Sequence, residues 1–155
     1  MTTKQGDSKL YEEIQTDGCL FMSLLDIACA DTYRDLRPED VNRLYKYVTP
    51  WWMRDGGHVK ADRCYVLEHE PIIRAAFDFF GHHDMQIVYR YRRDGDEQIM
   101  GVEKDLNVCN YWITKIRLPG FSHFYRSRRD GEPVYNPGVS MSHDIMSVRG
   151  YSIWT

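Results

Sequence analysis

No apolar run in this 155-residue sequence approaches the roughly 18 residues that a helix needs to cross a bilayer. The opening stretch, "MTTKQGDSKLYEE", is polar and lacks the charged-then-apolar pattern of a secretory leader. A cytoplasmic protein that does not engage a membrane is therefore the expectation. The spacings that advertise zinc are missing too, with no CxxC, HxH or HExxH. His58 and the run His82-His83-Asp84 stand outside any such pattern, so no metal and no cofactor is expected. A charge of one sign is absent as well. The net charge of -3 creates no field that would gather nucleic acid, so nucleic acid is not an expected partner. Ser142-His143-Asp144 has hydrolase residue types but no nucleophile-elbow motif, and adjacent residues rarely converge on one point. Internal repeats and low-complexity segments are also lacking. The chain therefore reads as a single domain over residues 1–155, with residues 1–10 as a flexible tail.

What is present is an excess of aromatics, 14% of residues with eleven tyrosines and four tryptophans, beside an ordinary apolar share of 43%. The four cysteines, Cys19, Cys29, Cys64 and Cys109, are widely spaced. In a reducing compartment they are free thiols, and burial is the default account of each.

Apolar residues at Leu20, Phe21, Leu24, Leu25 and Ala28 mark one face of a helix over about 18–31, with Thr16 or Asp17 available as its cap. "RPEDVNRLYKYV" (37–48) predicts a second helix, with Pro38 and acids in its first turn. Pro50 and Gly56-Gly57 break regular structure in "TPWWMRDGGH". "EPIIRAAFDFFG" (70–81) predicts a third helix. Strand-like runs follow at 85–93, 97–103, 110–118, 121–129 and 132–137, and "VRGYSIWT" (148–155) is expected to close the sheet as its last strand. Asp94-Gly95 and Asp130-Gly131 are hairpin signals. Helices first and antiparallel strands after make an α+β layout.

One constellation carries chemistry. A nucleophilic thiol needs a depressed pKa, a base within hydrogen-bond reach, a group that orients the base, and donors for the oxyanion formed at a carbonyl. Cys19 begins the first helix, where the dipole favours a thiolate. His123 lies in the strand "FSHFYRSRR", and Asn136 ends the next one, "VYNPG". A hairpin at Asp130-Gly131 would return Asn136 to His123, where its side chain could fix the imidazole tautomer. Gln15, four residues before the cysteine, could assist the Cys19 backbone N–H at an oxyanion.

A cysteine heading an N-terminal helix after a Gln, followed by "HF…DG…V.NP" on late strands, resembles the papain-like cysteine peptidases. Within them the pattern is most similar to the compact peptidases of bacteriocin-exporting transporters, and it also resembles short phage and spirochaete proteins of unassigned function. The resemblance implies a papain-like fold with N-terminal helices packed on a C-terminal antiparallel sheet. It implies Cys19 as nucleophile, His123 as general base, Asn136 as orienting residue and Gln15 in the oxyanion hole. The function implied is thiol-dependent hydrolysis of a peptide or amide bond, with a peptide or protein as substrate.

Leu20 stands where that family carries Gly or an aromatic, the Gln-to-Cys interval is short, and Asn replaces the Asp of the compact relatives. Leu20 and the short Gln-to-Cys interval motivate the alternative of a non-enzymatic protein-binding module, a phage or host-interaction factor on a peptidase-like fold. Trp51, Trp52 and Trp112 are its candidate cleft aromatics. Two basic clusters, Arg90 to Arg93 and Arg126 to Arg129, each lead into a hairpin turn and read as charges that keep sheet ends soluble.

Overall fold

Residues 19–32 form the helix around which the rest of the chain is built. In "CLFMSLLDIACADT" every side chain from Phe21 to Cys29 is buried, a helix enclosed on all sides rather than along one stripe. The computed structural model describes residues 1–54, 64–136 and 144–155. Gly56-Gly57, His58, Ser142 and His143 lie outside the described residues.

Among the described residues the elements run α1 (Glu12–Asp17), α2 (Cys19–Thr32), α3 (Pro38–Trp52), β1 (Met53–Arg54), β2 (Tyr65–Val66) and α4 (Glu70–Phe79). Then come β3 (Gln86–Asp94), β4 (Glu97–Met100), a 3-10 turn (Glu103–Asn107), β5 (Tyr111–Leu118), β6 (Phe121–Ser127), β7 (Pro133–Tyr135) and β8 (Asp144–Trp154). The fold is α+β, with helices preceding a six-stranded antiparallel sheet of order β4-β3-β8-β5-β6-β7. Helices α2 and α4 pack against the sheet, α2 chiefly on β6 and α4 on β3. Phe21, Leu24, Leu25, Ile72, Ile73, Ile113 and Tyr151 make the core between the layers. A smaller cluster of Tyr91, Trp112 and Val148 is packed by Leu106 of the 3-10 turn.

Four expectations need correction. Helix α1 occupies part of the polar run before Cys19, because Ile14 is fully buried and anchors it. Helix α3 runs through Pro50 to Trp52, although Pro50 has no N–H to give its last turn. The strand expected to finish the sheet lies in its middle, β8 pairing with β3 on one side and β5 on the other. The first ten residues are no frayed tail. Thr3, Gln5 and Leu10 are buried, the Thr3 hydroxyl donates to the Leu36 carbonyl, and Tyr135 donates to the Thr3 carbonyl.

Both hairpin turns form. Gly95 (φ 58°) and Gly131 (φ 92°) supply the left-handed backbone that glycine adopts without a steric penalty. The hairpins stand at opposite edges of the sheet, so the two basic clusters do not share one edge. Three of their arginines have acidic partners: Arg92 bonds Asp94 twice at 2.8 Å, Arg126 on β6 pairs with buried Asp26 of α2, and Arg128 lies 3.8 Å from Glu132.

Candidate active site

Cys19 owes its place to the junction of two helices. Gly18 is the N-cap of α2, and a Cβ there would lie 2.4 Å from the Ile14 carbonyl oxygen. Only a residue without a side chain lets α1 meet α2 this closely. No side chain caps α2, so neither Thr16 nor Asp17 takes that role, and the first turn's N–H groups are left for other partners. The backbone N–H groups of Cys19 and Leu20, and that of Phe124 across on β6, favour the Cys19 thiolate. Burial outweighs them and, with the negative charge of Asp17, holds the thiol above its ordinary value.

His123 is 5% exposed in the middle of β6. The chain turns at Gly131, where Tyr125 donates to the Gly131 carbonyl at 2.6 Å, and comes back along β7. This return brings the Asn136 side chain to His123, with Oδ1 2.7 Å from Nε2. An amide oxygen only accepts, so the imidazole proton sits on Nε2 and Nδ1 keeps its lone pair. Among the described residues Nδ1 has no hydrogen-bond partner. Burial pushes the His123 pKa below its ordinary value, and the Asn136 bond pulls it partly back. Both the Cys19 and the His123 shift disfavour the charged form.

Cys19, His123, Asn136 and Gln15 line one cleft of about 530 Å³. The structure thus brings all four predicted residues to one cleft. Gln15 is partly committed: its Nε2 donates to the Leu10 carbonyl at 2.7 Å, leaving one amide N–H. Gln5 also lines the cleft, and its amide donates to the Gln15 carbonyl at 3.0 Å. Reading residues 1–10 as a tail hid Gln5, and no local motif marks it.

Cys19 also borders a second cleft, of about 600 Å³, on its other side. Thr16, Phe121 and Ser122 are common to both, so the thiol stands where two clefts meet. The second holds Arg92, Lys115 and Arg149, together with Cys64 and His69. Of its basic residues, the sequence marks Arg92 only as a charge at a sheet end, and Lys115 and Arg149 were not foreseen. The available signal was a lysine in the middle of "YWITKIRL", a strand with apolar residues on both faces. Cys29, 2% exposed with its thiol pushed to about 12 by burial, is a core residue as expected. Cys64, read only as packing, is buried close enough to Cys19 that a thiolate there would raise it further.

His69 precedes α4, stacks on Tyr89 at 4.4 Å between ring centroids and bonds the Tyr151 hydroxyl through Nδ1 at 2.7 Å. Burial, with Arg149 and Arg92 nearby, lowers its pKa to about 3, so it carries no charge into the cleft. His83 is exposed and bonds Asp78 at 3.0 Å, away from either cleft. The candidate cleft tryptophans lie elsewhere. Trp51 is 72% exposed, Trp52 packs on the core and Trp112 fills the smaller cluster. No helix among the described residues is long and apolar enough to cross a membrane. Compared with protein-family models, with curated proteins and with solved structures, the chain matches none.

Proposed function

We propose that the protein is a thiol-dependent hydrolase with a papain-like arrangement, acting on a peptide or amide bond through Cys19, His123 and Asn136. The observation that carries this reading is the 2.7 Å bond from His123 Nε2 to Asn136 Oδ1, beside a cysteine at a helix head in the same cleft. It leaves the other ring nitrogen as a base, the arrangement a Cys–His pair requires.

The steps follow from the atoms. Nδ1 of His123 takes the Cys19 proton as Sγ bonds to the carbonyl carbon, and the carbonyl π pair moves onto oxygen. The Cys19 backbone N–H and the remaining Gln15 amide N–H supply oxyanion donors. Collapse expels the amine, which leaves with the proton from Nδ1, and a thioester remains. Water then gives a proton to Nδ1 and adds to the thioester. The acid departs, and the proton returns to sulfur. Asn136 stabilises the imidazolium in both halves by accepting from Nε2.

Site-resolved labelling with iodoacetamide, read by mass spectrometry from about pH 5 to about pH 9, tests the reading. Cys19 should react at least about tenfold faster than half-buried Cys109 near neutrality, and His123→Ala should abolish the difference. The rate should fall on the acid side as His123 protonates, with a midpoint below the ordinary imidazole value of about 6.5 because burial lowers that pKa. It should stay flat above that until the raised Cys19 thiol ionises. Labelling of Cys19 no faster than Cys109, and unchanged by His123→Ala, would leave a binding module on this fold instead.

A further inference from the structure

Strands β3, β8 and β5 carry an arrangement that works against the sheet. Arg92 and Arg149 stand directly opposite each other across the β3–β8 pair. Ile113 is the β5 partner of Arg149, which places Lys115, two residues on, diagonally beside it on the same face. Like charges directly opposite in a sheet destabilise it. Three cations in a row on adjacent strands are therefore a cost that packing alone does not explain. Burial lowers the Lys115 pKa, and each of the two arginines lowers it further, the direction expected for crowded cations.

The neutralising partners fall short. Asp94 takes Arg92 through two hydrogen bonds, and Asp17 lies on the wall next to Cys19. Among the described residues neither Lys115 nor Arg149 has a carboxylate in ion-pair range. Arg149 is 5% exposed, donates from Nη1 to Ser147 and has the Tyr89 hydroxyl beside its side chain, and among the described residues its buried Nε meets no partner in good hydrogen-bond geometry. A buried polar group left unpaired is costly, and a site that waits for a ligand is a reason to retain one. Lys115 and Arg149 both lie over the ring of Phe124, at 5.3 and 4.9 Å from its centroid. Phe124 is also the residue whose backbone N–H favours the Cys19 thiolate. The two cations are thus tied to the reacting sulfur through a single residue, in a cleft that Cys19 itself borders.

We infer that the second cleft is a specificity subsite for a carboxylate, so that the protein acts on acidic peptides carrying an Asp or Glu side chain, or a chain terminus, next to the bond attacked. The inference rests on the hydrolase reading above and names its substrate class. Lys115 and Arg149 hold the carboxylate, Arg92 adds to the field, and His69 stays neutral beside them. Asp17 on the same wall favours a single negative charge over the double charge of a phosphate.

The test uses a matched set of reagents on the full chain: the iodoacetyl derivatives of glutamate amide, glutamine amide and phosphoserine amide. Cys19 should label about tenfold faster with the glutamate reagent than with the glutamine one. That ratio should fall toward one in Lys115→Gln and in Arg149→Gln. High salt should narrow it only in part, since a charge pair formed inside a cleft is screened less than an exposed one. Because Arg149→Gln removes a buried group, its melting temperature is measured alongside, and Lys115→Gln, at a half-buried position, decides if that variant unfolds. Rapid labelling by the glutamine reagent with no glutamate preference overturns the subsite and leaves the hydrolase reading standing. A phosphoserine reagent that labels faster than the glutamate one overturns the carboxylate assignment. Slow labelling by all three sinks the hydrolase reading, and the inference falls with it.

Discussion

Asn136 accepts a hydrogen bond from His123, and that bond decides which ring nitrogen is left with a lone pair for the proposed chemistry. Removing it in Asn136→Ala frees the ring to turn and strips the imidazolium of its partner. Loss of a hydrogen bond to a charged group lowers the Cys19 reaction rate by about tenfold to a hundredfold. The bond also raises the His123 pKa, so its loss moves the acid limb of the pH–rate profile to lower pH. Asn136→Asp keeps an acceptor and adds a charge, so it restores much of the rate and moves the same limb to higher pH. Labelling rates of the two variants across pH check both directions. This pair of residues was legible beforehand because the Asp130-Gly131 turn fixes how the strands meet. Gln5, Lys115 and Arg149 were not. Their neighbours come from segments far away in the chain, and no local pattern records them.

At the level of elements, the α1–α2 junction sets the reach of the thiol. Gly18→Ala forces a Cβ into the Ile14 carbonyl, and one helix must shift. Overpacking of this kind costs about 1–3 kcal/mol. Urea unfolding should show a lower midpoint with an unchanged slope, and Cys19 labelling should slow even where the protein remains folded. The helix periods of α2, α3 and α4 and the turn signals at Asp94-Gly95 and Asp130-Gly131 stood plainly in the sequence, and those elements formed close to their expected places. Helix α1 did not show itself, since its six residues are too few for a period and only Ile14 is buried. Strand order was also hidden. β8 reads like any other strand, and its central position follows from pairing on both sides, which composition does not encode.

Across the whole molecule, His69 links stability to pH. Its folded pKa of about 3 lies below the ordinary value of 6.5, so the unfolded chain binds the proton more tightly. The stabilisation from keeping His69 neutral is complete above the unfolded value and drains away as pH falls toward 3. Near pH 4 the loss is on the order of 2–3 kcal/mol. Thermal melts at neutral pH and near pH 4 should therefore diverge less in His69→Gln than in the parent chain. The position of β8 has a temporal consequence. Residues 144–154 are synthesised after every strand they join, so until they emerge the two hairpins β3–β4 and β5–β6 have open facing edges. Arg149 arrives with that strand and Lys115 waits for it, so the basic cleft is assembled only at the final insertion. A nascent chain that has released Cys19, His123 and Asn136 therefore carries the nucleophile and base of the proposed hydrolase before the proposed carboxylate subsite exists.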